Sequence, residues 1–367
     1  MNQLLPLCAR LNSDEAHRAD LKRAAAAITD WPALLARAER HGLAPLLYRH
    51  LRGAGAKLPP QTGHELRGLV LRHRHANRVR GQILAEIYAA CRARGIELLL
   101  LKGVALAHLI YPQPGLRPMR DVDLLVKPAD AAPTQDILGK LGFSAPHNYP
   151  AGKASHHHLA AATRQVEGFS VSVEVHHNVF MEESRPSLAW DELTAPPLEF
   201  SLPDGTPART LGGEDTLWHL CHHVASIPEP FRLIWVVDVT AFAEQFVDAV
   251  DWARVRRQYP RVLEILSLFH AVTPLSDRLR ETAGVRVGHP PRDIGADFNG
   301  WPRYAVNWMR RERGLARITR DTLLPPEWWL RLYYGVGTHR SLATTRWLRH
   351  PLHIAGFAAQ LLRQKTA

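Results

Sequence analysis

LLLLKGVALAHLIYPQPGLRPMRDVDLLV (98–126) is the segment on which the fold class turns. Ile96 to Leu101 (IELLLL) is a short run, apolar but for Glu97, that stops at Lys102-Gly103, the pattern of a buried strand ending in a turn. Val104 to Ile110 takes helical spacing, prolines and a glycine break 111–120, and DVDLLVKP (121–128) opens a second strand. Residues two apart on a strand share a face, so the carboxylates of Asp121 and Asp123 converge while Val122 and Leu124 point elsewhere. Two such groups repel unless they are protonated or bridged by cations. A D-x-D alone is equally at home on a solvated edge strand. Here the LLV that follows argues for burial, where unpaired carboxylates are expensive, and oxygen pairs of this kind suit Mg²⁺ or Mn²⁺.

Downstream, HHLAAATRQV (157–166) and GFSVSVEVHHNV (168–179) are two further strand candidates. In the second, Phe169, Val171, Val173 and Val175 alternate with Ser170, Ser172, Glu174 and His176, which predicts a strand with one polar face. Glu174 is the expected third metal ligand beside Asp121 and Asp123. Two cations about 3.5–4 Å apart would then clamp the attacking and leaving oxygens of an in-line displacement. The same carboxylate can orient or deprotonate an acceptor hydroxyl. His176 shares the face of Glu174, where it can contact substrate or a metal, and joins the nucleotide-binding candidates, against a competing reading as a hydrogen-bonded structural histidine. Lys102-Gly103 stands where a strand turns into a helix. There glycine admits a phosphate close to the backbone, helix N–H groups attract anions, and lysine adds a point charge.

Outward from this core the periodicity is helical. WPALLARAERHGLAPLLYRHLRGAG (31–55) and a proline-free stretch from His64 to Arg94 precede it, and a helix over 129–141 lies within it. After a proline-rich connection (196–207), GGEDTLWHLCHHVAS and FRLIWVVDVTAFAEQF return to helical spacing. The expected fold is α+β: an N-terminal helical region (1–95), a small mixed-sheet α/β core (96–207) and a C-terminal helical region (208–367).

The 367 residues can bury a large core, and 46% hydrophobic with 22% charged residues describes an ordinary globular chain. The start lacks a basic segment followed by a long apolar stretch, so no signal peptide is expected, and no apolar run reaches the roughly 20 residues of a bilayer span. Cys8, Cys91 and Cys221 are odd in number and far apart, which disfavours a disulfide framework and fits a reducing cytoplasm. The formal net charge of +11 suits phosphate-rich partners. No compact Lys/Arg run with interleaved aromatics accompanies it, so nucleic acid is permitted but not favoured.

The central run, with VSVEVHHNV after it, resembles the nucleotidyltransferase superfamily typified by DNA polymerase beta. Within that superfamily it is similar to an uncharacterised bacterial branch whose hallmark is K-G…R-D-(I/V)-D-L-L-V. EDTLWHLCHHVA and LIWVVDV are similar to that branch's helical half, so the resemblance runs from about Trp31 to Trp252. It implies an NTP substrate, with ATP expected, and Mg²⁺ or Mn²⁺ held by Asp121, Asp123 and Glu174. Three departures stand out: Gly103-Val104 replaces the usual Gly-Ser, the loop before Asp121 is long, and the third acid is Glu rather than Asp. Lys102, Arg117 or Arg120 would replace the serine's phosphate contact, with Arg120 preferred because it directly precedes the aspartate strand.

The expected reaction is transfer of a nucleoside monophosphate to a small molecule, peptide or protein with release of pyrophosphate. A template-independent RNA or tRNA-end nucleotidyltransferase and a non-catalytic nucleotide-binding scaffold are the alternatives. His222, His223 and Asp238 resemble a zinc set only loosely, and His156-His157-His158 is expected at the surface. The aromatic and basic segment 327–364 is expected to be helix-packing core, with a membrane interface or a partner as its alternative.

Overall fold

The computed structural model describes residues 3–146, 157–180, 188–226, 231–292, 294–296, 298, 300–301 and 314–365. Five N-terminal helices come first: α1 (Leu4–Leu7), α2 (Glu15–Ala26), α3 (Trp31–His41), α4 (Ala44–Gly53) and the long α5 (Pro60–Arg92). Asp14 and Asp30 cap α2 and α3 by accepting from the N–H groups of His17 and Ala33, so the local chemistry sets where these helices begin.

The core then runs β1 (Leu98–Leu100), α6 (Lys102–Leu109), β2 (Asp121–Val126), α7 (Ala131–Lys140), β3 (Ala162–Val166) and β4 (Phe169–His176). The sheet order is β1-β2-β4-β3, with β1 antiparallel to β2, β2 parallel to β4 and β3 antiparallel to β4. The mixed α+β architecture expected from the sequence is therefore present. Glu167 and Gly168, at φ 48° and 78°, form the two-residue turn between β3 and β4, where positive φ at both centres matches the twist of the strands.

Three expectations need correction. The strand expected over 157–166 is confined to Ala162–Val166, and only an isolated bridge joins His158 to His176. β4 likewise stops at His176 rather than running to Val179. The connection at 196–207 partly forms a hairpin of β5 (Leu198–Ser201) and β6 (Pro207–Thr210). Its prolines lie outside or at the end of the pairing, where the missing N–H does no harm. Thr210 anchors it by donating its hydroxyl to the Leu100 carbonyl at 2.6 Å.

Among the described residues, the C-terminal helices are α8 (Gly213–Ser226), α9 (Leu233–Gln245), α10 (Trp252–Gln258), α11 (Arg261–Phe269), α12 (Asp277–Ala283), α13 (Leu315–Leu323), α14 (Glu327–Tyr334) and α15 (His350–Lys365). Among the described residues, no helix is long and apolar enough to cross a membrane. Trp328, Trp329, Leu330 and Leu332 of α14 are buried, as the core reading of 327–364 expects, whereas Trp347, Leu348 and Leu352 are exposed.

The two faces of the sheet carry different cores. Val122, Leu124, Val173 and Val175 point into a cluster with Val79, Ile83 and Ile87 of α5 and Ile137 and Leu138 of α7. Leu125, on the opposite face, joins a larger cluster containing both the N-terminal helices and α8, α9, α11 and α14. The helical regions before and after the sheet thus share one apolar core, and the polar face of β2 and β4 is turned toward it.

A buried polar latch ties that core to the segment before β2. Arg117 donates from Nη2 and Nε to the two carboxylate oxygens of Asp238 on α9, at 2.6 and 3.2 Å, and from Nη1 to the Pro118 carbonyl at 2.9 Å. Tyr111 donates its hydroxyl to the same carboxylate at 2.7 Å. Removing one member of such a pair strands the other charge out of water. Asp238→Ala is therefore expected to cost about 3–5 kcal/mol in urea unfolding. Arg117→Met with Asp238→Leu together should cost clearly less than the sum of the single changes, as a double-mutant cycle will show.

Candidate active site

β2 and β4 run side by side in parallel with Asp121 opposite Ser172 and Asp123 opposite Glu174. Since paired residues of adjacent strands project to the same side, Asp121, Asp123, Glu174 and His176 occupy one face. All four line a cavity of about 430 Å³ together with Lys102, Gly103, Arg117 and Arg120. Every site residue expected from the sequence borders this space.

The environments of the acids differ. Asp123 is buried, and each oxygen has a cationic or donor neighbour: Lys102 Nζ at 3.5 Å from Oδ2 and His176 Nε2 at 3.1 Å from Oδ1. Burial alone would favour its neutral form, but the Lys102 charge and the His176 contact outweigh it and hold the carboxyl far below its ordinary range. Asp121 is exposed toward the cavity, but the protein around it still disfavours its charged form. With the Asp123 charge adding to this, its carboxyl is pushed up to about 6. Glu174 is partly exposed, and the His176 ring 3.6 Å away holds it below its ordinary value. Burial pulls His176 down, but its contacts with Asp123 and Glu174 prevail and raise it.

Ligand atoms of Asp123, Glu174 and His176 all lie within 4.8 Å of one another. Two ionised carboxylates and an imidazole converging on one cavity form a donor set suited to divalent cations. Asp121 stands beside that group rather than within it.

Lys102 opens α6 with φ 46°, a left-handed conformation uncommon for a non-glycine residue. Gly103 is the second residue of that helix, and a Cβ on it would meet Arg117 Nη1 at 2.6 Å. The glycine is thus required by the Arg117 guanidinium packed against it. Arg117, expected as a phosphate contact, spends its donors on Asp238 and Pro118. Arg120, exposed at the rim, borders the same cavity.

The opposite wall was missed as a unit. Phe180, His219, His222, His223 and Trp235 line it, with the rings of Phe180 and His222 4.2 Å apart. Burial lowers His222 to about 4 and His219 and His223 well below their ordinary range, so this wall is uncharged at neutral pH. Asp238, the third member of the loose zinc set, is engaged by Arg117 instead. His157 and His158 are half-buried beside His176, at ring separations of 5.2 and 5.1 Å, rather than out on the surface. His156 lies outside the described residues. The bridge from His158 to His176 is the local cause, and no periodicity announces it.

A family model described as uncharacterised nucleotidyltransferase matches residues 28–277, further toward the C-terminus than the span ending at Trp252. No curated protein matches the sequence. Among solved structures, a solution structure of the antibiotic-resistance factor ANT(2'')-Ia is 17% identical, with 50% of this chain and 95% of that one covered and a TM-score of 0.33. A crystal structure of ANT(2")-Ia in complex with adenylyl-2"-tobramycin is 14% identical, with 50% and 97% covered and a TM-score of 0.34. An antigenic nucleotidyltransferase-like protein from Paracoccidioides brasiliensis is 16% identical, with 59% and 93% covered and a TM-score of 0.36. At such scores these likenesses decide nothing about acceptor or site.

The charge crowding has a pH signature. Asp121 is raised from 3.8 to about 6, so between those values the folded chain binds more proton than the unfolded one, and stability falls as pH rises through that window. In metal-free buffer Asp121→Asn should remove this fall. Urea midpoints should show the variant gaining on the parent above pH 6 and losing that advantage below pH 4; parallel profiles would contradict the crowding.

Proposed function

The chain belongs to the uncharacterised nucleotidyltransferase family, and on that premise we propose the following reaction. A nucleoside monophosphate moves from an NTP, with ATP as first candidate, to a hydroxyl or phosphate oxygen on a small molecule, peptide or protein. The acceptor oxygen forms a bond to the α-phosphorus, the α–β anhydride bond breaks, and pyrophosphate leaves with the electron pair. The observation that carries this reading is the convergence of Asp121, Asp123 and Glu174 on one cavity beside the start of α6.

Asp121, Asp123 and Glu174 would hold Mg²⁺ or Mn²⁺, whose charge offsets that of the triphosphate and of the departing pyrophosphate. Glu174, partly exposed and favouring its ionised form, accepts the proton of a hydroxyl acceptor. The first-turn N–H groups of α6 lack intrahelical partners and receive phosphate oxygens, with Gly103 allowing close approach. Lys102 is the nearest cation to that anion, and Arg120 reaches it from the rim. Arg117 acts indirectly, packing on Gly103 and fixing the turn. The uncharged wall of Phe180, His222 and Trp235 offers flat apolar surface to the nucleobase or to the acceptor.

Purified protein incubated with each labelled NTP, Mg²⁺ or Mn²⁺ and a cell extract should yield a labelled acceptor by mass spectrometry, and EDTA should abolish it. Asp121→Asn and Asp123→Asn should each lower transfer by about 10²–10³-fold or more, the loss of about 3–4 kcal/mol of transition-state stabilisation. Circular dichroism should stay unchanged. Near-normal transfer by Asp123→Asn would overturn the metal-dependent mechanism.

A further inference from the structure

We propose that one of the two cation positions is a mixed nitrogen–oxygen site built by Asp123, Glu174 and His176. Such a site takes a first-row transition ion such as Mn²⁺ in preference to Mg²⁺. The inference rests on the nucleotidyltransferase reading and adds a ligand to it.

Three features of the fold carry it. First, His176 and Glu174 sit two apart on β4, and Asp123 is the register partner of Glu174 on β2, so the sheet itself fixes the spacing. Second, His176 Nε2 lies 3.1 Å from Asp123 Oδ1 and 3.6 Å from Glu174 Oε2, and the three ligand atoms fall within 4.8 Å of one another. Neighbouring ligands around a six-coordinate ion with bonds of about 2.1 Å stand about 3 Å apart, so a small closing movement would seat one ion among them. Third, His176 is fully buried, and among the described residues its polar side-chain contacts run through Nε2 to the two acids. Asp121 lies outside this close group, which leaves it to share Asp123 with the other cation in an all-oxygen setting.

Imidazole nitrogen suits transition ions, whereas Mg²⁺ holds to oxygen and water in a strict octahedron. The two positions therefore differ in preference, and the mixed one sets which metal the protein takes up first. The competing role for His176 is positioning alone, in which its ring donates to Asp123 and never meets the ion.

Pulsed electron paramagnetic resonance separates the two. The full chain is loaded with Mn²⁺ and pyrophosphate, which supplies phosphate oxygens and no nitrogen. The expected result is modulation from one imidazole nitrogen, absent in His176→Gln, together with Mn²⁺ binding weakened about tenfold or more by calorimetry and Mg²⁺ binding little changed. Bound Mn²⁺ with no nitrogen modulation in the parent protein overturns the proposal without needing any variant, and so does modulation that persists in His176→Gln. Failure of the parent protein to bind Mn²⁺ or Mg²⁺ under any of these conditions would instead overturn the nucleotidyltransferase reading beneath it.

Discussion

The parallel pairing of β2 with β4 places Asp123 directly against Glu174, and the concentration of negative charge that results is the constraint to which the rest of the site answers. Like charges within a few ångströms cannot all ionise freely in a partly desolvated space. The chain resolves this by dividing the load. Asp123 is kept ionised by Lys102 and His176, while Asp121 is driven toward its protonated form. Lys102 thus supplies the positive charge that offsets the buried Asp123 carboxylate.

That arrangement needs rigid supports, and the two faces of the sheet provide them. α5 and α7 cover one face with aliphatic side chains, so β2 and β4 cannot slip by a residue without throwing Val122, Leu124, Val173 and Val175 to the wrong side. The other face is roofed by α8 and α9, which contribute the histidine-rich wall. The Arg117–Asp238 latch joins roof to floor across 121 residues of sequence.

Much of this was legible in the order of residues. Asp121 and Asp123 share a face by strand geometry alone, and the alternation from Phe169 to His176 marked Glu174 and His176 as a polar pair. The α+β class followed from the change of period at Ile96. What could not be read was anything dependent on long-range register. The parallel pairing that brings Glu174 to Asp123 rather than to Asp121, the bridge that draws His158 to His176, and the partner of Arg117 are set by tertiary packing. The β5–β6 hairpin was hidden for a different reason: its prolines mimic a loop, although they fall where the ladder asks for no N–H.

Lys102 shows how tightly the turn after β1 is specified. The left-handed conformation there would suit glycine, and a glycine is present one position later. Yet Gly103 is already committed, because any side chain on it would collide with the Arg117 guanidinium that Asp238 holds in place. The strained position therefore falls to a residue with a Cβ, at a cost of about 1–2 kcal/mol. Strain of this kind persists only where the surroundings over-determine the backbone. Here β1 fixes one side of the turn and Arg117 the other, and the result is a lysine whose ammonium meets Asp123. A glycine at 102 would relax the backbone and leave one oxygen of Asp123 without its cation. The turn is thus shaped by the charge it must deliver more than by the conformation it would prefer.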